Sequence, residues 1–367
     1  MTSPFVVAVE ASRLARELRG IGREVWALLP RLLRQRPELR LVLTGTRARD
    51  ESVIVRRLEA QGAPAGHVSF HHAPRLGHPR ADVHWYPWNV SAGAPKRGAV
   101  VVTMNDVAPL ALPDPRRRKF LKNLRWRRRF GATATRATLV LAISEFTRDE
   151  IHRVLGVPLD RIRVTLLAAD DLPVPPTRRD AEALARLGVR APYLLAVGAA
   201  DRRKNLALLE RAMARLAFTH PDVTLVLAGP RRGIDAAEPA WRRTLGFVSD
   251  DDLVSLYRGA RALLAPSSYE GFGLPVLEAM RLGTPVICAR ASSLPEVAGD
   301  AAAYVHPDDD EALAAIAARV VEDDALHARM RAAGLAQSAR FSWEDTARRT
   351  LDAFDEAATM AGSSAPA

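Results

Sequence analysis

Short apolar runs recur along the whole chain, and most are followed by a loop and then by a helical pattern. The clearest are listed here in chain order: Phe5–Val9, Arg40–Thr44, Val100–Met104, Thr138–Ile143, Tyr193–Gly198, Thr224–Gly229 and Ala262–Ala265. Continuous short runs, without alternation of polar residues, are typical of parallel strands that are buried on both faces. Strands that alternate with helices in both halves of the chain predict two doubly wound α/β domains with parallel sheets.

A proline-rich stretch, LPVPPTR at 172–178, has the composition of a linker between two such domains. We therefore expect one domain over residues 1–170 and a second over residues 171–341. A further helix is predicted from Ser342, whose S-x-x-D pattern is a capping signal. This helix should end near Ala358, and the predicted segments are 342–360 for the helix and 361–367 for a disordered tail.

The composition limits the class of protein. The chain has 367 residues, a net charge of +11 carried mostly by arginine, and one cysteine, Cys288. A single cysteine excludes a disulfide framework. No apolar run reaches the length of a membrane span, and the start of the chain lacks the basic n-region of a signal peptide. The sequence therefore predicts a cytoplasmic protein, and its positive charge suits acidic or phosphorylated partners.

The stretch from Ser267 to Gly283, SSYEGFGLPVLEAMRLG, carries two carboxylates, Glu270 and Glu278, with seven residues between them. It joins two apolar runs, so it predicts a strand, a loop, a helix and a second strand. Pro275 suits the first helical position, which would put Glu278 in the first helical turn. The N–H groups of a glycine-containing loop before a helix bind anions. Two acceptor side chains beside them suggest a ligand with phosphates and hydroxyls.

Another predicted strand, Tyr193–Gly198, is followed after a short loop by two adjacent cations, Arg203 and Lys204. We expect these cations to open a helix. A helix start already favours anions through its dipole, and the cations would add charge-assisted hydrogen bonds. This segment therefore also predicts phosphate binding.

The stretches EGFGLPVLEAM, GTPVI and SSLPEVAGDAA together are similar to the E-x7-E region of family 4 retaining glycosyltransferases. The chain thus resembles the bacterial, mannosyltransferase-like group 1 glycosyltransferases. The resemblance implies the GT-B fold, in which two Rossmann-like domains with doubly wound parallel sheets face a cleft. The first domain would lie on the acceptor side, the second would bind the nucleotide sugar, and the last helix would cross back to the first.

The resemblance also implies roles for individual residues. Arg203 and Lys204 would hold the donor diphosphate, Glu278 would accept from the ribose hydroxyls, and Glu270 would bind a sugar hydroxyl near the reacting centre. Asn105 stands where the family commonly has a histidine; an amide can donate and accept hydrogen bonds but cannot carry a proton. The remaining donor-binding positions would act through backbone or close approach: Gly20, Gly22, Gly198, Phe247, Val248, Phe272, Gly273 and Leu274.

The expected reaction is transfer of a hexosyl unit from a nucleoside-diphosphate sugar to a glycan, lipid-linked or small-molecule acceptor, with retention. Mannose is the sugar that close-looking relatives suggest. No Asp-x-Asp motif lies near the donor site, so we expect neither a metal nor another cofactor. Two alternatives stay open: a non-catalytic or altered GT-B protein that binds nucleotide sugars, and a nucleotide-sugar epimerase.

The most basic stretch is PRRRKFLKNLRWRRRF at 115–130. A basic helix with apolar anchors can lie on an anionic membrane, which would place the protein at the inner membrane face. The alternative is a solvated basic helix that packs through Phe120, Leu124 and Phe130. Nucleic-acid binding is disfavoured because no base-stacking motif accompanies the charge. The histidines between His67 and His84 lack zinc-type spacing, so they predict no metal site.

Overall fold

A computed structural model of the protein describes residues 4–17, 20–72, 77–91, 93, 95–112, 120–172, 176–198, 201–230 and 238–363. The chain divides into two compact units, one formed by Met1–Leu167 with Trp343–Ala367 and the other by Ala168–Ser342. Each unit contains one parallel sheet, as the apolar runs predicted. None of the helices in the described ranges combines the length and the apolar character that crossing a bilayer requires.

The sheet of the first unit is built from short strands, and the strands Val83–Tyr86, Ala99–Met104 and Leu139–Ala142 are buried at every residue. Its strands, in chain order, are β1 Phe5–Glu10, β2 Leu39–Thr44, β3 Val68–His71, β4 Val83–Tyr86, β5 Ala99–Met104, β6 Leu139–Ala142 and β7 Ile162–Val164. Their order across the sheet is β3-β2-β1-β4-β5-β6-β7. All pairs are parallel, but the chain adds β2 and β3 on one side of β1 and β4 to β7 on the other. The point between β1 and β4 is therefore the topological switch point, where ligands bind in open α/β sheets.

The helices of the first unit are α1 Ile21–Gln35, α2 Ala48–Ala60, α3 Ala108–Ala111, α4 Phe120–Arg136, α5 Glu145–Leu155 and, after the second unit, α13 Trp343–Ser363. In α1 the stripe Val25, Leu28, Leu29 and Leu32 is at most 1% exposed, as its helical spacing predicts. The helix starts at Ile21 and runs through Pro30. Ser144 caps α5 as predicted, accepting from the Thr147 N–H at 2.9 Å.

Two strands of this sheet were not predicted, because residues 62–98 contain many prolines, glycines and histidines and no long apolar run. β3 and β4 both lie in that region. All four residues of β4 are buried, yet they include His84 and are followed by Pro87. A run of four residues beside proline is too short to stand out as a strand, and it is the sheet on either side that determines its conformation.

The described part of the second unit contains six strands: β8 Tyr193–Val197, β9 Thr224–Ala228, β10 Arg242–Gly246, β11 Ala262–Ala265, β12 Val286–Ala289 and β13 Ala303–Val305. Their order is β10-β9-β8-β11-β12-β13. Its helices are α6 Asp180–Leu187, α7 Leu206–Thr219, α8 Asp250–Gly259, α9 Leu274–Arg281, α10 Leu294–Ala298, α11 Asp310–Glu322 and α12 Asp324–Ser338. The Oγ of Ser249 accepts from the Asp252 N–H at 3.1 Å, which is the cap expected for α8.

Helix α13 packs within the first unit against α1 and β5. Phe354 is fully buried there, and its ring lies 5.6 Å from the ring of Trp85 on β4. The helix continues to Ser363, past the predicted end near Ala358, so residues 361–363 are helical and not part of a disordered tail. The rest of that predicted tail, 364–367, lies outside the described residues.

Truncation of Phe354 should therefore destabilise the first unit. We expect Phe354→Ala to lower the free energy of unfolding by about 3–5 kcal/mol, because it removes a buried aromatic ring and leaves a cavity. Urea unfolding followed by tryptophan fluorescence measures this, since Trp26, Trp85, Trp88, Trp126 and Trp343 all lie in the first unit. The matched control is Phe218→Ala, whose ring is 91% exposed and whose loss should cost under about 0.5 kcal/mol. Equal losses for both variants would contradict the packing described here.

Candidate functional site

Three neighbouring strands of the second sheet end in glycine at the same edge. Gly198, Gly229 and Gly246 follow or end β8, β9 and β10, with left-handed φ angles of 74°, 131° and 76°. A Cβ added at Gly229 would lie only 3.1 Å from the Gly198 Cα and N atoms. The backbones approach so closely here that side chains do not fit, and the carboxyl edge of the sheet is left open to a ligand.

The segment after β8 positions the two predicted cations, but not as the first turn of a helix. Arg203 and Lys204 lie in a 3-10 turn, Arg202–Lys204, and α7 begins only at Leu206. The prediction that they open a helix is therefore wrong. The cause is Asn205, which adopts a left-handed conformation with φ 58° and so separates the turn from the helix.

Arg203 is held by Asp201. The Asp201 carboxylate accepts from the Arg203 backbone N–H at 3.0 Å and from its guanidinium at 2.9 Å. Burial acts to raise the pKa of Asp201, but the hydrogen bonds from Arg203 outweigh it and hold the pKa below its ordinary value. The carboxylate is thus charged, and it orients the guanidinium.

Asn205 joins three loops, a role that sequence reasoning did not assign to it. Its Nδ2 donates to the Pro307 carbonyl at 2.6 Å and lies 3.4 Å from the Pro266 carbonyl. The Ser268 N–H donates to the Arg203 carbonyl at 2.8 Å. These bonds fix the 3-10 turn against the loop after β11. The sequence did contain a signal for this break between the turn and α7. Asparagine tolerates the left-handed conformation better than most residues, and Asn205 stands between the two cations and the apolar helix.

The stretch from β11 to α9 forms the other side of this edge. Gly273 caps α9 with φ 108°, and an added Cβ would lie 2.8 Å from the Leu294 side chain. The helix begins at Leu274, so Pro275 is at its second position and Glu278 lies beyond the first turn. The predictions of Pro275 at the first position and Glu278 in the first turn are both wrong. Gly283 follows the helix in a left-handed conformation, as expected.

Glu278 is only 7% exposed and is hydrogen-bonded to a neighbouring helix. Its Oε2 accepts from the Tyr257 hydroxyl of α8 at 2.7 Å. The Tyr257 carbonyl in turn accepts from the Thr284 hydroxyl at 2.6 Å. Tyr257 was predicted only as an apolar face of α8, and no spacing rule in the sequence connects it to Glu278.

Glu270 and Lys204 form an ion pair, with 2.6 Å between Oε1 and Nζ and side-chain exposures of 14% and 20%. The Glu270 backbone is fixed as well, since its N–H donates to the Ser292 hydroxyl at 2.9 Å and its carbonyl accepts from the Ser293 hydroxyl at 3.0 Å. Both residues line one small pocket, whose other walls include Val197, Gly273 and Pro275. The structure therefore brings together two of the predicted catalytic residues.

Four other predicted donor-binding residues of the second unit, Phe272, Leu274, Phe247 and Val248, have different environments. Phe272 is buried and its ring meets Phe341 edge to face at 5.9 Å, so its side chain belongs to the core. Leu274 starts α9. Phe247 and Val248 follow β10, and the Phe247 ring is 71% exposed. This exposed aromatic ring directly follows Gly246 at the glycine-lined edge of the sheet.

The predicted positions of the first unit lie at the switch point of its own sheet. Gly20 caps α1 with φ 56°, and at Gly22 a Cβ would lie 1.7 Å from the Glu17 carbonyl oxygen, so only glycine fits there. Asn105 follows β5, and its backbone N–H donates to Asn89 Oδ1 at 2.6 Å. Sequence reasoning missed Glu24, which is 1% exposed and lies beside Asn105. Burial raises the pKa of Glu24 to about 8, against a smaller lowering effect of the Asn105 side chain.

Four histidines of the segment 67–84 have hydrogen-bond partners in the protein: His67, His71, His72 and His84. His84 contacts the Arg97 carbonyl at 3.1 Å, and His72 contacts the Thr46 carbonyl at 3.0 Å. Within the described ranges, no group of three or more His, Cys, Asp or Glu residues has the arrangement of a metal site.

The fold is that of the GT-B proteins. Sucrose-phosphate synthase from Thermosynechococcus elongatus superposes with a TM-score of 0.68 at 18% identity, over 96% of this chain and 98% of that one. HepE from Anabaena, solved in complex with UDP-glucose, gives a TM-score of 0.68 at 18% identity, over 96% of this chain and 99% of that one. At such identities the likeness concerns the fold.

Comparison of the amino-acid sequence with protein families gives a match within the second unit. Residues 185–337 match the model of the family described as Glycosyl transferases group 1. This range contains Gly198, Arg203, Lys204, Glu270 and Glu278. The O-antigen chain mannosyltransferase B of Escherichia coli is 39% identical over 232 residues, which are 59% of this chain and 60% of that protein. The match therefore spans about three fifths of that relative's length.

Stability should depend on pH through Glu24. Its pKa is about 8 in the folded chain, well above the ordinary value of 4.5 that applies on unfolding. The folded state then holds a proton that the unfolded state lacks, so wild-type stability should fall as the pH rises between those two values. Glu24→Gln does not titrate, and we expect it to gain a few kcal/mol relative to wild type between about pH 5 and about pH 9.

Urea titrations at several pH values, again with tryptophan fluorescence, measure this difference. Glu59→Gln on α2, which is exposed, is the control and should follow the wild type at every pH. A constant offset between Glu24→Gln and wild type across the range would show that Glu24 is ionised throughout in the folded chain.

Proposed function

We propose that this protein is a retaining glycosyltransferase that transfers a hexosyl unit from a nucleoside-diphosphate sugar. The observation that carries the proposal is the Lys204–Glu270 ion pair, which lies at the carboxyl edge of the second sheet in the range that matches group 1 glycosyltransferases. A cation for phosphate and a carboxylate for sugar hydroxyls are thereby 2.6 Å apart. A nucleotide sugar needs both at adjacent positions.

In this reaction the leaving diphosphate gains negative charge as the bond to the sugar breaks. Lys204 and Arg203 would stabilise that charge, with help from the N–H groups of the loop before α9. Asp201 holds the Arg203 guanidinium and Glu270 holds the Lys204 ammonium. Fixed donors cost little reorganisation when charge develops, which is why such pairing favours catalysis.

The two carboxylates would bind different parts of the donor. Glu278 would accept from the ribose hydroxyls, and its hydrogen bond from Tyr257 fixes the position of the carboxyl group. Glu270 would accept from a hydroxyl of the transferred sugar close to the reacting centre. The backbone at Phe247 and Val248 would contact the nucleobase, and Phe272, Gly273 and Leu274 would contribute backbone N–H groups.

The remaining parts of the proposal concern the first unit, the cofactors and the acceptor. Gly20, Gly22 and Asn105 would contribute donor contacts from the edge of the first sheet. Transfer would proceed without a metal or another cofactor, with Lys204 and Arg203 supplying the positive charge. Mannose is the sugar we propose first, because the E. coli relative is named a mannosyltransferase, and its name also supports a glycan acceptor. A nucleotide-sugar donor is supported by the UDP-glucose complex of the HepE neighbour.

The first test is a thermal-shift panel with GDP, UDP, ADP and dTDP. One nucleotide, at about a hundred times its dissociation constant, should stabilise the wild type by about 2.7 kcal/mol. Glu278→Ala should lose this stabilisation because it lacks the acceptor for the ribose. Glu270→Ala should retain it, since Lys204 stays available to the diphosphate, but should lose turnover of the matching nucleotide sugar by about a hundredfold.

Glu311→Ala, an exposed carboxylate on α11 of the same unit, is the matched control and should behave as wild type in both assays. If none of the four nucleotides stabilises the wild type, the donor site is not where we place it. If the wild type binds a nucleotide but turns over its sugars on no acceptor, the protein is a non-catalytic nucleotide-sugar binding protein, as Asn105 in place of the family histidine allows. Epimerisation of the donor without transfer would identify an epimerase.

We further propose that α4 contacts anionic membrane, at the inner face of a cytoplasmic membrane. Leu121 is 76% exposed and Leu124 36% exposed, and they share a helix face with the exposed Arg125 and Arg128. By contrast, Trp126 and Phe130 pack on the core of the first unit. Residues 115–119 and the Phe120 side chain lie outside what the structure describes.

Co-sedimentation with vesicles tests this contact. Wild type should bind phosphatidylglycerol vesicles better than phosphatidylcholine vesicles, and Leu121→Ser with Leu124→Ser should bind about tenfold more weakly, because two apolar side chains no longer enter the bilayer surface. Phe218→Ser, which removes an exposed apolar ring elsewhere, is the control. Binding that is unaffected by the leucine changes, or equal for both lipids, would leave α4 as an ordinary solvated basic helix.

A further inference from the structure

Ser292, in the loop after β12, adopts a backbone conformation that costs stability. Its φ angle is 51°, in the left-handed region. The other two non-glycine residues with left-handed φ among those that the structure describes are Asn89 and Asn205, and asparagine tolerates this region. Serine does not share that tolerance, whereas glycine would adopt the conformation without strain. The strain therefore points to a function of the Ser292 hydroxyl.

That hydroxyl binds the backbone on both sides. It donates to the Ala291 carbonyl at 2.8 Å and accepts from the Glu270 N–H at 2.9 Å. A hydroxyl can do both at once, since it carries one proton and two lone pairs. Because Ser292 and Glu270 are 22 positions apart, the second bond joins the loop after β12 to the loop after β11. Glycine or alanine at this position would leave the Glu270 N–H without this acceptor.

Ser293 gives up a stabilising interaction for the same segment. It is the N-cap residue of α10, a position at which a serine side chain normally accepts from the backbone of the first turn. Within the described residues its hydroxyl makes no such bond to α10. Instead the hydroxyl, which is fully buried, donates to the Glu270 carbonyl at 3.0 Å and to the Phe272 carbonyl at 2.8 Å. Both serines therefore hold the segment 270–272 by its backbone.

The Glu270 carboxylate, unlike its backbone, is held by a group that the proposed donor would also bind. Its Oε1 lies 2.6 Å from the Lys204 Nζ. A diphosphate attracts the same ammonium, so donor binding would weaken the ion pair. The position of Glu270 then depends on the backbone bonds from Ser292 and Ser293, which a ligand at the carboxylate does not displace.

We propose that Ser292 and Ser293 are positioning residues for Glu270, which keep its carboxylate at the reacting sugar once the donor diphosphate has engaged its ammonium partner. This inference rests on the proposed function, because the role exists only if a donor is bound and its sugar is transferred. A displacement of about 1 Å near a reacting centre can slow a reaction by about a hundredfold. The serines should therefore affect kcat, while donor affinity, which Lys204 and Glu278 supply, should change little.

The test compares Ser292→Gly with Ser292→Ala, which remove the same hydroxyl but differ in backbone strain. The glycine variant relieves the left-handed strain and the alanine variant retains it, so Ser292→Gly should melt about 2–4 °C higher than Ser292→Ala. Both should lower kcat for GDP-mannose, or for the sugar of whichever nucleotide binds, by about tenfold, with the donor KM within about twofold of wild type. Ser293→Ala should lower kcat in the same way.

Ser338→Ala is the matched control. Ser338 is also buried in the second unit, but its hydroxyl donates to the Leu335 carbonyl of its own helix at 2.9 Å, so this variant should retain the wild-type kcat. A merely structural role of Ser292 would make kcat follow the melting temperature, with Ser292→Gly more active than Ser292→Ala. That result, or a raised donor KM at unchanged kcat, would overturn the proposal.

The same assay separates this inference from the proposed function. Wild type that turns over no nucleotide sugar overturns the transferase function and the positioning role together. Turnover in wild type that Ser292→Gly and Ser293→Ala both retain overturns the positioning role and leaves the transferase function intact.

Discussion

Parallel pairing of fully buried strands is the constraint on which the rest of this structure depends. Such strands cannot leave backbone groups unpaired, so each must align with its neighbours in register, as Val101 does with Leu139. Parallel neighbours also need a crossover, which the helices supply. The carboxyl ends of all strands then meet at one edge. That is why Lys204, after β8, reaches Glu270, after β11, although 66 positions separate them in the sequence.

How much of this could be predicted follows from what each feature depends on. The long apolar runs and the capping serines act within a few residues, so the sheets and the starts of α5 and α8 were predictable. β4 was not, because four residues beside a proline carry too little signal without the strands on either side. The left-handed Asn205, the start of α9 one residue before Pro275 and the Tyr257–Glu278 hydrogen bond depend on contacts distant in sequence. Residue identity suggested the site, while tertiary contacts decided its geometry.

The Lys204–Glu270 pair illustrates how a binding site can be stable before its ligand arrives. Both groups are mostly removed from water, and a lone charge there would be costly; removing one partner of a fully buried pair typically costs about 3–5 kcal/mol. In the free protein, each of the two groups compensates the charge of the other. A donor with a diphosphate and hydroxyls offers Lys204 a new anionic partner and Glu270 new hydrogen-bond donors, so the ligand can separate the two groups without leaving either one without a partner.

The buried carboxyls of the two units have different partners. Glu270 pairs with the Lys204 ammonium at 2.6 Å. Glu278 accepts a hydrogen bond from the Tyr257 hydroxyl at 2.7 Å. For Glu24 the Asn105 side chain opposes burial only in part, and burial raises the pKa of Glu24 to about 8. The carboxyls at the edge of the second sheet are therefore held in place by donors and suited to bind hydroxyls, whereas the carboxyl at the edge of the first sheet has no charged partner and favours its neutral form.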